Sequence, residues 1–259
     1  MRQGIKTKKA RRGATTLCGV IAVDKPKGMT SHDVVNRLRR LTGEGRIGHA
    51  GTLDPAATGL LLVCIGPATR LSDTLMAGDK IYEARIAFGT ATDTDDAEGK
   101  PIATADLPSN LSDENFAREV LAGFTGDIQQ IPPQFAAIKK DGRKAYERAR
   151  AGERFELEPR SVSIHILDLR VAQSDYWDIV AEVSKGTYIR ALARDIGEAV
   201  GCRAHLAALR RTRVGAVTLE QAHTLEELEQ RTISDCFLDL AANLRLPTQT
   251  TPGGTRDDH

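Results

Sequence analysis

Apolar residues along the chain fall in short runs that predict more strands than helices. Runs typical of strands extend over Leu17 to Val23, Leu60 to Ile65 and Ile81 to Phe88. Two more lie at Val162 to Val171 and Ile179 to Val183, in the second half of the chain. Because these strands do not alternate strictly with helices, the pattern favours an α+β fold with a mixed sheet over a doubly wound parallel fold.

Three segments repeat apolar residues at helical spacing instead. The first begins at a cap, Thr30 or Ser31, and ends at Gly43, the second follows a cap at Ser112, and the third follows Arg190. Their apolar residues are Val34, Leu38 and Leu41, then Phe116, Val120 and Leu121, then Leu192, Ile196 and Val200. The spacing therefore predicts three helices between the strands.

The segment from Gly43 to Gly59 is rich in Gly and Thr and contains His49 and Asp54. Pro55 disfavours helical backbone at Asp54, the residue before it. Loops held by a rigid scaffold are where functional side chains concentrate. We therefore expect a long, shaped loop that presents Asp54, with the cap of a simple turn as the alternative role for this residue.

Composition narrows the class of protein. The 259 residues are 41% hydrophobic and 27% charged, which suits a globular protein with a substantial core. No apolar run approaches the length of a membrane span, and the basic N-terminus is not followed by the apolar core of a signal peptide. We therefore expect a cytoplasmic monomer with one main domain.

The net charge of +1 conceals two basic segments. Met1 to Arg12 contains six basic residues and no acid, and Lys185 to Arg213 contains seven basic residues against Asp195 and Glu198. Such segments are typical of nucleic-acid binding, because Lys and Arg side chains on phosphates release counterions. A solvated tail is the alternative for the first segment. In the second, charges alternate with apolar residues, which indicates folded structure.

No residues have the spacing of a metal or nucleotide site. The four cysteines lie far apart, as expected of reduced structural thiols, and the histidines lack metalloprotease spacing. The acidic run from Asp93 to Gly99 has its glycine one position too late for an EF-hand loop, so we interpret it as a solvated turn. We expect neither a metal nor another cofactor.

A carboxylate can act as a covalent nucleophile when it is ionised and correctly aimed. A buried Asp54 would need a cation beside it, because a neighbouring arginine favours the charged carboxylate and fixes its direction. The segment from Ser184 to Arg190 offers Arg190 for this purpose. A solvated arginine after the end of a strand is the alternative that spacing alone leaves open.

At these residues the sequence resembles the TruB family of tRNA pseudouridine synthases. Matching segments occur in family order from about Leu17 to Leu228. They are Asp24–Ser31, Gly48–Gly59, Asp79–Tyr82, Gln130–Pro133 with Lys139 and Tyr146, Lys185–Arg190 and Leu209–Arg211. The set covers most of the chain and is far more specific than any single motif. It implies the pseudouridine synthase fold, a mixed and mainly antiparallel sheet flanked by helices and loops.

The resemblance also implies a reaction. Uridine 55 in the T loop of tRNA would be flipped out and isomerised to pseudouridine without a cofactor. Asp54 would be the nucleophile and Arg190 its ion-pair partner. Tyr82 would stack on the target base and help to remove its C5 proton.

Further residues match family positions around the substrate. His49 would help to hold the rearranged RNA loop, and Tyr188 and Leu209 would line the pocket. Ordinary core positions are the alternative for Tyr188 and Leu209. Lys25 belongs to the same set of residues, where it would brace the site.

The resemblance divides the chain into a basic tail (1–16), a catalytic domain (17–246) and a disordered tail (247–259). Within the catalytic domain, residues 127–160 would form an inserted, thumb-like loop that grips tRNA phosphates. Its basic residues include Lys139, Lys140, Arg143 and Lys144. Too few residues follow Leu246 for the small RNA-binding PUA domain of many relatives.

Two other function classes remain at this point. A module of the same fold could bind or fold tRNA without catalysis, although Asp54, Tyr82 and Arg190 are all present. A glycosidase would need a second carboxylate near the first, and the sequence names no candidate. The basic segments also favour a polyanionic substrate over a neutral sugar.

Overall fold

The structure is a computed structural model that describes residues 15–135, the backbone of residues 139–140 and 143–144, and residues 157–240. Most of the predicted N-terminal tail, the predicted C-terminal tail and Tyr146 lie outside the described residues. The same is true of half of the residues of the predicted thumb-like loop and of the side chains of Lys139, Lys140, Arg143 and Lys144.

Strands dominate the part of the chain that the structure describes. They are β1 (Gly19–Lys25), β2 (Ile47–Ala50), β3 (Thr58–Ile65), β4 (Lys80–Phe88), β5 (Thr90–Thr92), β6 (Pro101–Thr104), β7 (Gly126–Gln130), β8 (Lys139–Lys140), β9 (Arg143–Lys144), β10 (Arg160–Ala172), β11 (Tyr176–Val183), β12 (Ala204–Val214) and β13 (Val217–Thr218). Nine of them form one sheet in the order β1-β3-β12-β4-β11-β10-β7, with β2 on β3 and β13 on β12. All pairs in this sheet are antiparallel except β3 with β12. The expected mixed, mainly antiparallel sheet is confirmed.

Helices cover the sheet. They are α1 (Ser31–Thr42), α2 (Ser72–Ala77), α3 (Glu114–Ala122), α4 (Ile189–Ala199) and α5 (Leu225–Glu229), with short 3-10 helices at Gly66–Leu71, Leu219–Gln221 and Ile233–Cys236. None of the described helices is long and apolar enough to span a membrane. Three of the four cysteines are buried, Cys18 is exposed, and all four are free thiols.

Strand β4 explains how the sheet divides the molecule into two faces. Side chains alternate along it, so that Tyr82, Ala84 and Ile86 are buried while Glu83 and Arg85 are exposed. The buried face packs against α4 and the other helices of the main core. The alternation therefore places Tyr82 on the same face of the sheet as α4.

The sequence located the five predicted strands and three predicted helices. It missed the other elements, of which β2 and β12 matter for the site, and it placed one helix cap wrongly. The N-cap of α3 is Asp113, whose side chain accepts from two backbone N–H groups, and not Ser112. The predicted loop from Gly43 to Gly59 contains β2, which pairs with β3. The pattern also missed β12, because its arginines interrupt the apolar alternation even where they are buried.

Candidate active site

Asp54 lies on the loop between β2 and β3, and its neighbours in the chain are held firmly. The buried hydroxyl of Ser31 accepts from the Leu53 N–H at 2.9 Å and donates to the Leu53 carbonyl at 3.0 Å. Thr30, and not Ser31, is the N-cap of α1. Ser31 is therefore free to fix the backbone immediately before Asp54.

The residue after Asp54 is held by Lys25, whose side chain is fully buried. Its Nζ donates to the carbonyl oxygens of Met29 at 2.7 Å, Pro26 at 3.0 Å and Pro55 at 3.4 Å. Burial lowers the pKa of Lys25 from its ordinary 10.5 to about 8, with the Asp54 charge acting in the opposite direction. Lys25 thus holds the backbone that follows Asp54. Because its side chain is fully buried, we do not expect it to contact a substrate directly.

Arg190, the second residue of α4, is the direct partner of Asp54. Its Nε lies 3.2 Å from Asp54 Oδ2, and the arginine side chain is 7% exposed while that of Asp54 is 42% exposed. Its Nη groups donate to the carbonyls of Thr94 at 3.1 Å and Phe135 at 3.3 Å. The guanidinium is therefore fixed in the protein while the carboxylate faces outward.

A second carboxylate, Asp96, shares this arginine. Its Oδ2 lies 3.3 Å from Arg190 Nη1, and its Oδ1 accepts from the Thr94 hydroxyl at 2.6 Å and the Glu98 N–H at 3.0 Å. Asp95, with a left-handed φ of 59°, pairs with Arg194 at 3.0 Å. The interpretation of the acidic run as a solvated turn is thus wrong, because Asp95 and Asp96 bind the arginines of α4.

Gln130 fixes the beginning of the same helix. Its fully buried side chain accepts from the Tyr188 N–H at 2.8 Å and donates to the Tyr188 carbonyl at 3.1 Å. Tyr188 is the N-cap residue of α4, and its ring lies 5.8 Å from the Arg160 guanidinium. Burial raises the pKa of the Tyr188 phenol. The amide therefore positions both Tyr188 and, two residues later, Arg190.

A cavity of about 320 Å³ brings most of the predicted site residues together. Asp54, Tyr82, Tyr188, Arg190 and Leu209 all line it. These residues come from a loop, two strands and the start of a helix that are far apart in sequence. The cavity is lined by aromatic and aliphatic side chains around one carboxylate, the Arg190 and Arg211 guanidinium groups and two lysines. Apolar walls with a few converging polar groups are typical of a small-molecule or nucleotide pocket.

His49 lies elsewhere. It lines a neighbouring cavity of about 730 Å³, which shares Asp54, Arg190 and Asp96 with the site. Its Nδ1 is buried without a hydrogen-bond partner. Burial is the main cause that lowers the pKa of His49, followed by the charges of Arg211 and His32. The structure thus places His49 beside Asp54 but outside the 320 Å³ cavity.

Sequence reasoning missed Ser31, Asp96, Gln130 and Arg211 as site residues. All four are nearly or fully buried polar side chains. Buried polar side chains generally have hydrogen-bond partners, so knowledge of their burial would have identified these four residues. The spacing of residues along the sequence does not reveal that burial. Within the described residues, no group of three His, Cys, Asp or Glu side chains could hold a metal ion.

Family models match nearly the whole described chain. The model of the TruB family pseudouridylate synthase N-terminal domain matches residues 39–189, and that of the tRNA pseudouridylate synthase B C-terminal domain matches residues 190–240. The chain belongs to the TruB family. The two models meet inside α4, so that Asp54, Tyr82 and Tyr188 come from the first and Arg190 and Leu209 from the second.

Known relatives agree with this assignment. The chain is 52% identical over 218 residues to the tRNA pseudouridine synthase B of Thermobifida fusca, which covers 81% of this chain and 74% of the relative. It is 44% identical over 243 residues to that of Bordetella pertussis, covering 94% of this chain and 99% of the relative. Identity at this level over most of both chains supports membership of the TruB family.

Solved structures show the same fold. A Cbf5-Nop10-Gar1 complex contains a chain that superposes with a TM-score of 0.64 at 30% identity, covering 82% of this chain. An H/ACA RNP bound to a substrate RNA containing 2'-deoxyuridine contains one with a TM-score of 0.61 at 29% identity, again covering 82% of this chain. The chain spans about half the length of these two solved chains, 54% and 52%.

Proposed function

We propose that this protein is a tRNA pseudouridine synthase that isomerises uridine 55 in the T loop, with Asp54 as the nucleophile. The observation that carries the proposal is the Asp54–Arg190 pair at the 320 Å³ cavity. The names of the relatives, tRNA pseudouridine synthase B, support the substrate. Pseudouridine is an isomer of uridine, so the atoms balance without a redox partner or a group donor.

The reaction breaks the bond from N1 to C1′, turns the uracil and forms a bond from C5 to C1′. C5 loses a proton and N1 gains one, and the bond that Asp54 forms to the substrate is broken again within the same cycle. A base stacked in an RNA loop cannot reach a carboxylate inside a cavity, so the nucleotide must be flipped out of the stack. Aromatic stacking can offset part of that unstacking. Tyr82, on the cavity wall, is the residue that we expect to stack on the base and to help in removing the C5 proton.

Arg190 has two functions in this scheme. Its ion pair fixes the direction of the Asp54 carboxylate, and its hydrogen bonds to backbone carbonyls hold the guanidinium in place when a substrate binds. Leu209 and Tyr188 contribute the remaining apolar surface around the base. His49, in the larger cavity beside Asp54, lies where RNA that flanks the flipped nucleotide would contact the protein.

The decisive experiment uses a T stem-loop RNA carrying 5-tritiated uridine and compares the wild type with Asp54→Asn. The amide preserves the side-chain volume and removes the nucleophile, so we expect tritium release to stop while RNA binding stays within about threefold of wild type. A matched RNA with cytidine at position 55 should release no tritium above background. Multiple turnover by Asp54→Asn would refute the nucleophile.

The same assay separates the non-catalytic alternative. A wild-type chain that binds the stem-loop tightly but releases no tritium would be a binding module of the same fold. The second carboxylate, Asp96, gives little support to a glycosidase, because Arg190, Thr94 and Glu98 already occupy its oxygens.

A further inference from the structure

Arg211 is the more deeply buried of the two arginines at the site, with an exposed fraction of 1% against 6% for Arg190. From β12 its Nε donates to the Leu60 carbonyl at 2.7 Å and its Nη2 to the Gly51 carbonyl at 3.2 Å, with Nη1 3.5 Å from the Thr52 carbonyl. One guanidinium thus contacts the backbone on both sides of Asp54, in the loop before that residue and in β3 after it.

The backbone of Arg211 fixes the same loop. It pairs with Gly59, where the loop enters β3. Gly59 has a φ of +99°, and a Cβ on it would lie 2.3 Å from the Arg211 carbonyl oxygen. The end of the loop therefore contacts β12 so closely that only glycine fits.

The charge of Arg211 is unusual. Among the described residues no carboxylate lies within ion-pair distance of it, and its guanidinium donates only to neutral backbone carbonyls. A buried cation without a counter-ion is costly, and a neutral side chain would fill the same space at less cost. The guanidinium also lines the 320 Å³ cavity together with Asp54. Such a charge is best placed to act on an anion in that cavity.

We propose that Arg211 is a positioning residue for the reaction proposed above. Its fork holds the backbone at Gly51 and at Leu60, on either side of Asp54, so that the carboxylate faces the cavity. Its positive charge lines the same cavity as the carboxylate. The inference rests on the proposed function, because only a reacting carboxylate at Asp54 gives it a purpose. Arg211 would contribute to the rate in two ways, through the forked shape of its guanidinium and through its positive charge.

The experiment measures single-turnover tritium release with saturating enzyme for Arg211→Met and Arg211→Lys. The matched control is Arg213→Met, which removes an arginine of the same strand that pairs with Glu182 and does not contact the loop. We expect Arg211→Met to lose about 100-fold in rate, as for removal of one preorganised donor group, with RNA affinity nearly unchanged. Arg211→Lys should recover only part of the loss, since it restores charge without the fork.

A readout that a purely structural role would not change is chemical rescue. Arg211→Ala opens space beside the cavity, so millimolar guanidinium ion should raise its rate while leaving Arg213→Met unaffected. Wild-type rates in both Arg211→Met and Arg211→Lys would overturn the inference and leave the proposed function standing. If Arg211→Met does not fold, a wild-type rate in Arg211→Lys is sufficient to overturn it. A wild-type chain that releases no tritium would overturn both.

Discussion

Two buried arginines contact the loop that carries Asp54, and they differ in what balances their charge. Arg190 lies between two carboxylates, Asp54 and Asp96. Arg211 is bound by backbone carbonyls. Breaking a buried ion pair leaves a charge without a partner, whereas removing a cation from carbonyls leaves only dipoles unpaired. Replacing Arg190 and replacing Arg211 should therefore have different effects on the stability and activity of the protein.

The comparison extends to Lys25, which resembles Arg211 and not Arg190. Its three hydrogen bonds also go to carbonyls, and Asp54 is the largest of the charges that raise its pKa against the effect of burial. Of these three cations, Arg190 contacts Asp54 directly, and Lys25 and Arg211 hold the backbone around it. The direct cation is fixed by Asp96, and the other two fix the backbone.

The largest effect is expected from Arg190→Met, which breaks the direct pair. We expect the single-turnover rate to fall by about 10³-fold, because the group that orients Asp54 is lost. Stability should fall by about 3–5 kcal/mol, because Asp96 stays buried without its cation. Tritium release and urea unfolding measure the two losses separately.

The double variant Arg190→Met/Asp96→Asn sharpens this result. The amide keeps an acceptor for Thr94 and Glu98 but carries no charge, so most of the stability should return while the rate stays low. A rate that recovers together with stability would mean that Arg190 serves folding alone. Arg213→Met is again the control, with the rate unchanged and a smaller loss of stability, because its ion pair with Glu182 is partly exposed.

An intermediate effect is expected for Lys25 as the pH changes. Its folded pKa of about 8 lies below the ordinary 10.5, so the unfolded chain binds the proton more tightly between these values. The free energy of unfolding of the wild type, relative to Lys25→Met, should therefore rise between pH 8 and pH 10.5, by on the order of 1 kcal/mol.

Burial also lowers the pKa of Lys80 to about 8. Because Lys80 is present in both wild type and Lys25→Met, its contribution cancels in the difference between their free energies of unfolding. Urea unfolding at several pH values gives this difference directly. A relative stability that falls over the same pH range would mean that Lys25 is held as an ion pair with Asp54, like Arg190, and not by carbonyls.

The sequence predicts the strands and some single residues of this site better than it predicts which distant residues lie together in the fold. The apolar runs give β3, β4 and β11, and the family resemblance selects Asp54 and Arg190. Asp96 could not be found in this way, because it pairs with an arginine 94 residues away and stands in a run that looks solvated. Arg211 escaped for a related reason, since a charged residue in a strand indicates an exposed position unless burial is known.

The smallest effect is expected on the opposite face of the sheet, where Arg85 pairs with Asp178 across β4 and β11. The bond is bidentate at 2.7 Å, and the guanidinium lies 4.1 Å from the Tyr176 ring. Both side chains are partly exposed, 45% and 27%. Arg85→Met should therefore cost about 1 kcal/mol or less, since exposed pairs and cation–π contacts are each worth little.

This variant also tests which face of the sheet carries the chemistry. Arg85 and Asp178 line a cavity of about 640 Å³, twice the volume of the one at Asp54, and Leu209 lines both. Volume alone would favour the 640 Å³ cavity as the active site. That cavity, however, is not lined by Arg190 or by the Asp54 carboxylate that Arg190 holds. We expect Arg85→Met to keep its single-turnover rate within twofold of wild type, with Asp178→Asn as the matched variant. A tenfold loss in either would mean that RNA also uses the Arg85 face, and the contrast between Arg190 and Arg211 would then describe only part of the site.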